Sequence, residues 1–214
     1  MIDLHTHTTF SDGELIPSEL VRRAVVKGYE AIAITDHADF TNIEHILSCM
    51  KNIKSLEADY DIRVFTGVEL THVPPGKIPE LVKKARLLGA EIIVVHGETI
   101  VEPVPEGTNH TSVTLDIDIL AHPGLITAQD VELARDNDIA LEITSRCGHN
   151  RTNGHVARLA QEAGAFLIVN TDTHAPADLI TDEMAFMLAI GAGLDEKSAH
   201  KATLSQPLSL IKNL

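Results

Sequence analysis

The sequence predicts an α/β protein built on a parallel sheet, and three observations carry that expectation. Seven short stretches rich in branched apolar residues alternate with segments of helical periodicity along nearly the whole chain. Strand–helix–strand units of this kind pair their strands in parallel through right-handed crossovers. Each of the seven stretches also carries, or runs into, a histidine or an acidic residue. The sheet is a closed barrel or an open doubly wound sheet. No Gly-x-Gly-x-x-Gly follows the first strand and no Walker loop occurs, which counts against the commonest nucleotide-binding open sheets.

The strands are expected at 2–5, 31–35, 62–68, 91–96, 118–122, 139–144 and 166–170, with helices at 17–28, 41–59, 78–89, 127–137, 153–164 and 181–192. Pro17, followed by Ser18 and Glu19, suits a helix start, and Gly28 suits its stop. Gly89 and Gly164 close two further helices in the same way. Along the first strand Asp3, His5 and His7 share one face. Along the second, Ala31, Ala33, Thr35 and His37 oppose Ile32 and Ile34. Small residues inward and branched residues outward suit a narrow barrel sheathed by helices. The segment 97–110, rich in Pro, Gly and Glu, reads as a loop over the C-terminal edge of the sheet, where long loops carry function. Residues 195–214 are expected to form a last helix and tail that closes the bottom of a barrel or forms an interface.

Composition narrows the function. The 214 residues suit one domain, 1–214, with 44% hydrophobic and 22% charged residues. The formal charge is −14 and there are five Phe, two Tyr and no Trp, so long nucleic acid is disfavoured as a partner for want of a basic footprint and stacking platforms. No apolar run nears the roughly 20 residues that cross a bilayer. The opening Met-Ile-Asp-Leu-His-Thr-His lacks the layout of a signal peptide. A cytoplasmic location without membrane association is the expectation. Two cysteines, Cys49 and Cys147, form no close-spaced pair and read as reduced thiols.

Twelve histidines stand out. An isolated histidine is ordinarily a surface group or a satisfied core group, and His45 and His200 fall in helical segments. Six others crowd the strand ends together with acidic residues: His5 and His7, Asp12 in the loop beyond, Asp36-His37, Glu69, His96, His122, Glu142, then Asp172 and His174. In a parallel barrel these positions converge on the C-terminal face, where the chemistry of such barrels lies. The stretch from Thr144 to Arg151, after the sixth strand, adds Arg146, His149 and Arg151 as a clamp for phosphate or a leaving group.

These motifs resemble the PHP (polymerase and histidinol phosphatase) family. The resemblance rests on His5-Thr6-His7 with Ser11-Asp12-Gly13, Thr35-Asp36-His37, Gly67-Val68-Glu69, His96, Ala121-His122-Pro123 and Asp172-Thr173-His174, in order from residue 2 to about 175. It implies a distorted (β/α)7 barrel of the TIM type holding two or three divalent metals. By the resemblance, one metal takes His5, His7, Glu69 and Asp172; a second shares Glu69 and adds His96 and His122; a third takes Asp12, His37 and His174. Some relatives have a histidine where Asp12 stands.

Mixed imidazole and carboxylate ligands suit zinc, manganese or iron rather than calcium or magnesium. Three divalent ions against Asp12, Glu69 and Asp172 leave a shell of about +3, which draws a phosphate dianion into an otherwise acidic protein. The implied activity is hydrolysis of a phosphate monoester of a small metabolite, histidinol phosphate being one candidate, by a metal-bridging hydroxide. Glu69, Asp172 and Arg146 are the catalytic candidates, with Arg146, His149 and Arg151 contacting substrate. Asp3 and Asp36 are expected to orient neighbouring imidazoles. His72 and His110 flank the mouth. Alternatives are a nucleotide or oligonucleotide phosphoesterase, a non-catalytic metal-binding module, and an amidohydrolase-like barrel acting on C–N bonds. Oligomeric state is left open.

Overall fold

A computed structural model describes residues 1–213. The strands are β1 (Ile2–Asp3), β2 (Ala31–Ile34), β3 (His37–Ala38), β4 (Arg63–Leu70), β5 (Ile92–His96), β6 (Ile119–Ala121), β7 (Ala140–Thr144) and β8 (Leu167–Asn170). All pairings are parallel, in the order β1-β2-β4-β5-β6-β7-β8, with β3 beside β4. β2 and β3 are one strand interrupted at Thr35–Asp36, because Ile34 lies beside Thr66 and His37 beside Glu69 in the same register. The result is a nearly closed barrel of seven strands with one unsealed seam between β1 and β8.

That seam is held by side chains where a ladder is missing. Asp3 accepts hydrogen bonds from the backbone N–H of Thr171 (3.2 Å) and from its hydroxyl (2.6 Å), and the backbone N–H of Leu4 donates to Asn170 Oδ1 (2.9 Å). Only above these does backbone meet backbone, Asp172 N to His5 O at 3.0 Å and His7 N to Thr173 O at 2.8 Å. The expected face-sharing of Asp3 with His5 and His7 therefore fails. β1 ends at Asp3, Ile2 and Leu4 enter the interior, and Asp3 serves the seam.

On β2 the alternation holds. Ala31 and Ala33 join Phe65, Val94, Ile119, Ala121, Ala140 and Ile168 inside the barrel, while Ile32 and Ile34 pack outward beneath the helices. Those helices are α1 (Pro17–Val26), α2 (Ile43–Met50), α3 (Leu56–Tyr60), α4 (Ile78–Leu88), α5 (Thr108–Ser112), α6 (Ala128–Asp136), α7 (Asn153–Ala163), α8 (Asp182–Gly191), α9 (Glu196–His200) and α10 (Gln206–Leu210). Among the described residues no helix is long and apolar enough to cross a membrane.

Two expectations are corrected. The helix expected over 41–59 is broken: α2 buries Ile43, Ile46, Leu47 and Met50, then stops before a 3₁₀ turn, Ile53–Ser55. The Ser55 hydroxyl donates to Asn52 O (2.9 Å), a local bond that competes with continued α-helix. The loop expected over 97–110 already contains the first turn of α5. At the C-terminus the fold chooses between the two expected roles. Ile211, 1% exposed, joins the interior cluster from below, and its carbonyl accepts from Arg63 Nη2 at 3.0 Å. The terminal segment is the barrel floor.

Candidate metal centre

Phe65, Gly67 and Glu69 share a face of β4, and Phe65 packs inside the barrel, so Glu69 projects into its upper end, fully buried. Four imidazoles converge on it. Its Oε1 lies 3.4 Å from His5 Nε2 and 3.6 Å from His122 Nε2; its Oε2 lies 2.6 Å from His37 Nδ1 and 3.6 Å from His7 Nε2. Asp172 is the second hub. Its Oδ1 is 3.2 Å from His7 Nε2, 3.3 Å from His174 Nδ1 and 3.7 Å from His5 Nε2, and its Oδ2 is 3.7 Å from His122 Nε2. Asp12 stands at the rim, 3.2 Å from His174 Nε2 and 3.5 Å from His37 Nε2.

The backbone is strained to achieve this. His122 and Asp172 have φ of 27° and 54°, in the left-handed region that non-glycine residues avoid at a cost on the order of 1–3 kcal/mol each. Both lie just past a strand end, where the chain must turn a ligand back over the cup. Glu142, inside β7, steadies two ligands at once: its carboxylate meets His5 Nδ1 at 3.1 and 3.2 Å and accepts from the backbone N–H of His122 at 3.0 Å. Asp3 and Asp36 do not orient imidazoles as expected. Asp36 accepts from Thr8 N, the Thr8 hydroxyl and the Ser11 hydroxyl, each at 2.7 Å, and so fixes the loop between His7 and Asp12. Asp3 accepts from His5 N, holding backbone and not ring.

Burial and charge act in opposite directions in this cup. Burial alone would neutralise every group. Burial drives His7 and His122 well below the ordinary imidazole range, leaving neutral rings with lone pairs to offer. Burial acts the same way on His5, but the charges of Glu142, Glu69 and Asp172 outweigh it and hold the ring protonated. Burial would raise Glu69, yet the charges of His5, His37 and His96 keep it ionised, whereas burial pushes Asp172 up to about 7.

The residues fit a cluster of divalent cations. Glu69 Oε1 and Asp172 Oδ1 are buried without a hydrogen-bond partner, a costly state for a carboxylate oxygen in the protein alone. Donors bound tetrahedrally at about 2.0–2.1 Å stand roughly 3.3 Å apart, close to most of the separations above. Among the described residues five sets bring their donor atoms within 4.8 Å of one another: His5, His7 and Asp172; His5, Glu69 and His122; His7, Asp12, His37 and His174; His72, His96 and Glu102; and His122, His149 and Asp172. The first and third correspond to two of the expected sites. His96 departs from its expected company. Its ring is 4.5 Å from that of His122, but its Nε2 faces Glu102 at 3.1 Å, and it groups with His72 and Glu102.

Arg146 and His149 line a cavity of about 60 Å³ together with Asp12, His37, His96, Glu102, Asp172 and His174. The Arg146 guanidinium is held by Asp178 at 3.1 Å, and Asp178 also accepts from His174 N. Arg151 is elsewhere, on a separate groove of about 680 Å³ with Met184 and Met187, because the 3₁₀ turn His149–Thr152 rotates it away from His149. His110 is tied to Asp130 at 2.7 Å and takes no part in the cup. Sequence reasoning missed Glu102. It searched strand ends, and Glu102 sits mid-loop; the only signal was the length and composition of the segment 97–110.

A parallel barrel carrying a buried histidine–carboxylate cluster on its C-terminal rim is the class of protein that fold and site define. The model of the PHP domain matches residues 3–98, which include His5, His7, Asp12, His37, Glu69 and His96. The chain belongs to the PHP domain family. It is 55% identical to the uncharacterised protein MJ1295 of Methanocaldococcus jannaschii over 99% of each chain. It is 28% identical to a probable phosphatase of Shewanella pealeana, covering 84% of this chain and 79% of that one. Two solved structures share the fold. The archaeal ribonuclease P structure with mature tRNA gives a TM-score of 0.72 at 16% identity, over 98% of this chain and 90% of that one. The histidinol phosphate phosphatase of Lactococcus lactis, complexed with zinc, L-histidinol and phosphate, gives 0.58 at 17% identity, over 99% and 92%.

Proposed function

We propose that the protein is a metal-dependent phosphoesterase that hydrolyses a phosphate monoester of a small metabolite. One observation carries the reading: two buried carboxylates, Glu69 and Asp172, each retain an oxygen without a partner while neutral His7 and His122 turn their Nε2 atoms toward them. When bound, two or three zinc, manganese or iron ions supply Lewis acidity for phosphoryl oxygens and lower the pKa of water. The chain's own residues do the rest. Arg146, fixed by Asp178, offers donors to the phosphoryl group at the rim. Glu142 holds His5 and His122 in place.

The cavity of about 60 Å³ beside the carboxylates has the volume of roughly two liquid waters, room for a phosphoryl group and not for a nucleoside. The leaving group then lies in the adjoining groove of about 390 Å³, walled by Asp39, Thr41, Asn42, Thr71 and His72, which contributes no Lys or Arg. A polar leaving group fits that wall and a polyanionic one does not. Histidinol phosphate is one member of that class. The likeness to the ribonuclease P structure favours the fold alone, and the complete set of ligand-type residues favours an enzyme over a scaffold.

The test is phosphate release from a panel of monoesters, mononucleotides, lactones and cyclic amides by metal-reconstituted protein, with metal content measured on the same sample. Turnover of small monoesters, abolished in His122→Ala, is the expected result. Activity confined to lactones or amides, or fewer than two metals per chain, overturns the proposal.

A further inference from the structure

Glu102 presents both carboxylate oxygens to imidazole nitrogens. Its Oε2 lies 3.1 Å from His96 Nε2 and 3.3 Å from His72 Nε2, and its Oε1 lies 3.3 Å from His149 Nε2. His96 Nδ1 faces the carbonyl of Gly97 at 3.1 Å, and a carbonyl only accepts, so that nitrogen carries the proton. In the neutral ring, Nε2 is then a lone pair aimed at a carboxylate oxygen. A positive charge between Nε2 and that oxygen satisfies both: a proton in the metal-free protein, or a divalent cation in its place. The separation of the two atoms is close to the roughly 3.3 Å that divides two donors on one tetrahedral cation.

The loop holds Glu102 there by construction. Its base is clamped by reciprocal bonds, Glu98 N to Asn109 Oδ1 at 2.9 Å and Asn109 N to Glu98 Oε1 at 2.8 Å, and Asn109 Nδ2 reaches Pro123 O at 2.8 Å. Gly124, at φ 62°, lets the chain after β6 pass under this clamp; a Cβ there would stand 1.9 Å from Glu98 O. Val101 rests on Gly148, and the Thr99 hydroxyl meets His149 Nδ1 at 2.8 Å. Glu102 itself, 37% exposed at the side chain, forms one wall of the small cavity that also holds Arg146. An anionic oxygen thus borders the place that the functional reading gives to the phosphoryl group, and it faces a histidine of the same cavity.

We propose that Glu102 is a loop-borne ligand of the cation at His96, holding there a coordination position for which a substrate phosphoryl oxygen competes from the adjoining cavity. This rests on the phosphoesterase reading for the identity of the competing group. It also gives a reason for selecting monoesters: a phosphate dianion brings more charge than the carboxylate it replaces, whereas a diester brings only an equal charge.

The test reads binding and not turnover. Zn²⁺ affinity is measured by competition with a chromophoric chelator, and inorganic phosphate affinity by calorimetry on the fully loaded protein, for wild type and Glu102→Gln. The expected result is about tenfold or greater weakening of one cation, as for loss of a supporting group at a metal site, together with about tenfold tighter phosphate. Glu102→Ala should match Glu102→Gln, and Glu102→Asp should lie nearer wild type, with thermal melting verifying the fold of each. An unchanged cation affinity or an unchanged phosphate affinity overturns the proposal. Neither readout needs a turned-over substrate, so a failed ester panel would sink the enzymatic reading and leave this result legible.

Discussion

His5 and Glu142 form a buried pair in which one imidazole Nδ1 lies within 3.2 Å of both carboxylate oxygens, 137 residues apart in sequence. The contact fixes the ring so that Nε2 alone faces the cup, and the same carboxylate anchors the backbone of His122. Glu142→Gln should therefore weaken metal binding about 10- to 100-fold without unfolding the barrel. Metal titration alongside circular dichroism checks this. Wild-type affinity in the variant would remove Glu142 from the centre.

Acidity supplies a second expectation. In the metal-free protein burial lowers His37, but Glu69 and Asp12 outweigh it and lift the ring to about 9 from an ordinary 6.5. A group raised on folding stabilises the fold fully below its unfolded value and loses that contribution as pH rises through the folded value. The chelator-treated protein should thus lose stability between about pH 6.5 and 9. Metal binding must expel the same proton, so metal affinity should rise over that window. Melting curves with and without chelator measure both trends, and a metal-free protein that gains stability toward pH 9 contradicts the assignment.

Asp3 bridges the open seam. Asp3→Ala removes the acceptor of three donors, His5 N, Thr171 N and the Thr171 hydroxyl. Leaving buried donors unpaired costs about 1–3 kcal/mol each, so a loss of several kcal/mol is expected in denaturant titration. Asp3→Asn keeps an acceptor oxygen and should lose less.

The floor of the barrel is testable separately from its rim. Ile211→Ala opens a cavity among Ile2, Leu4 and Phe65 and should destabilise by about 2–5 kcal/mol. Its metal stoichiometry should stay that of wild type, since the floor touches no ligand.

Much of this was written in local pattern. Strand positions, the inward alanines and outward isoleucines of β2, and the strand-end histidines all follow from alternation and periodicity, which a reader of the chain can apply. What escaped depended on partners distant in sequence. Asp3 left its expected face because the seam with Thr171 needed an acceptor, a demand arising only when the first and last strands meet. Helix 41–59 broke at Asn52 through a local side-chain bond that apolar spacing does not register. Arg151 was expected at the cup and lies outside it, and Glu102 was not expected and lines it, for the same reason: loop direction, unlike strand direction, is set by contacts such as Val101 on Gly148.

The meeting of β1 with β8 has a consequence for biosynthesis. His5 and His7 emerge from the ribosome first, whereas Asp172 and His174, their neighbours across that junction, emerge some 165 residues later. A nascent chain therefore cannot bring these four side chains together until β8 and the turn beyond it have been made. A cation bound there would rivet the two ends of the barrel together, and a finished centre would be a record that the whole circuit has closed.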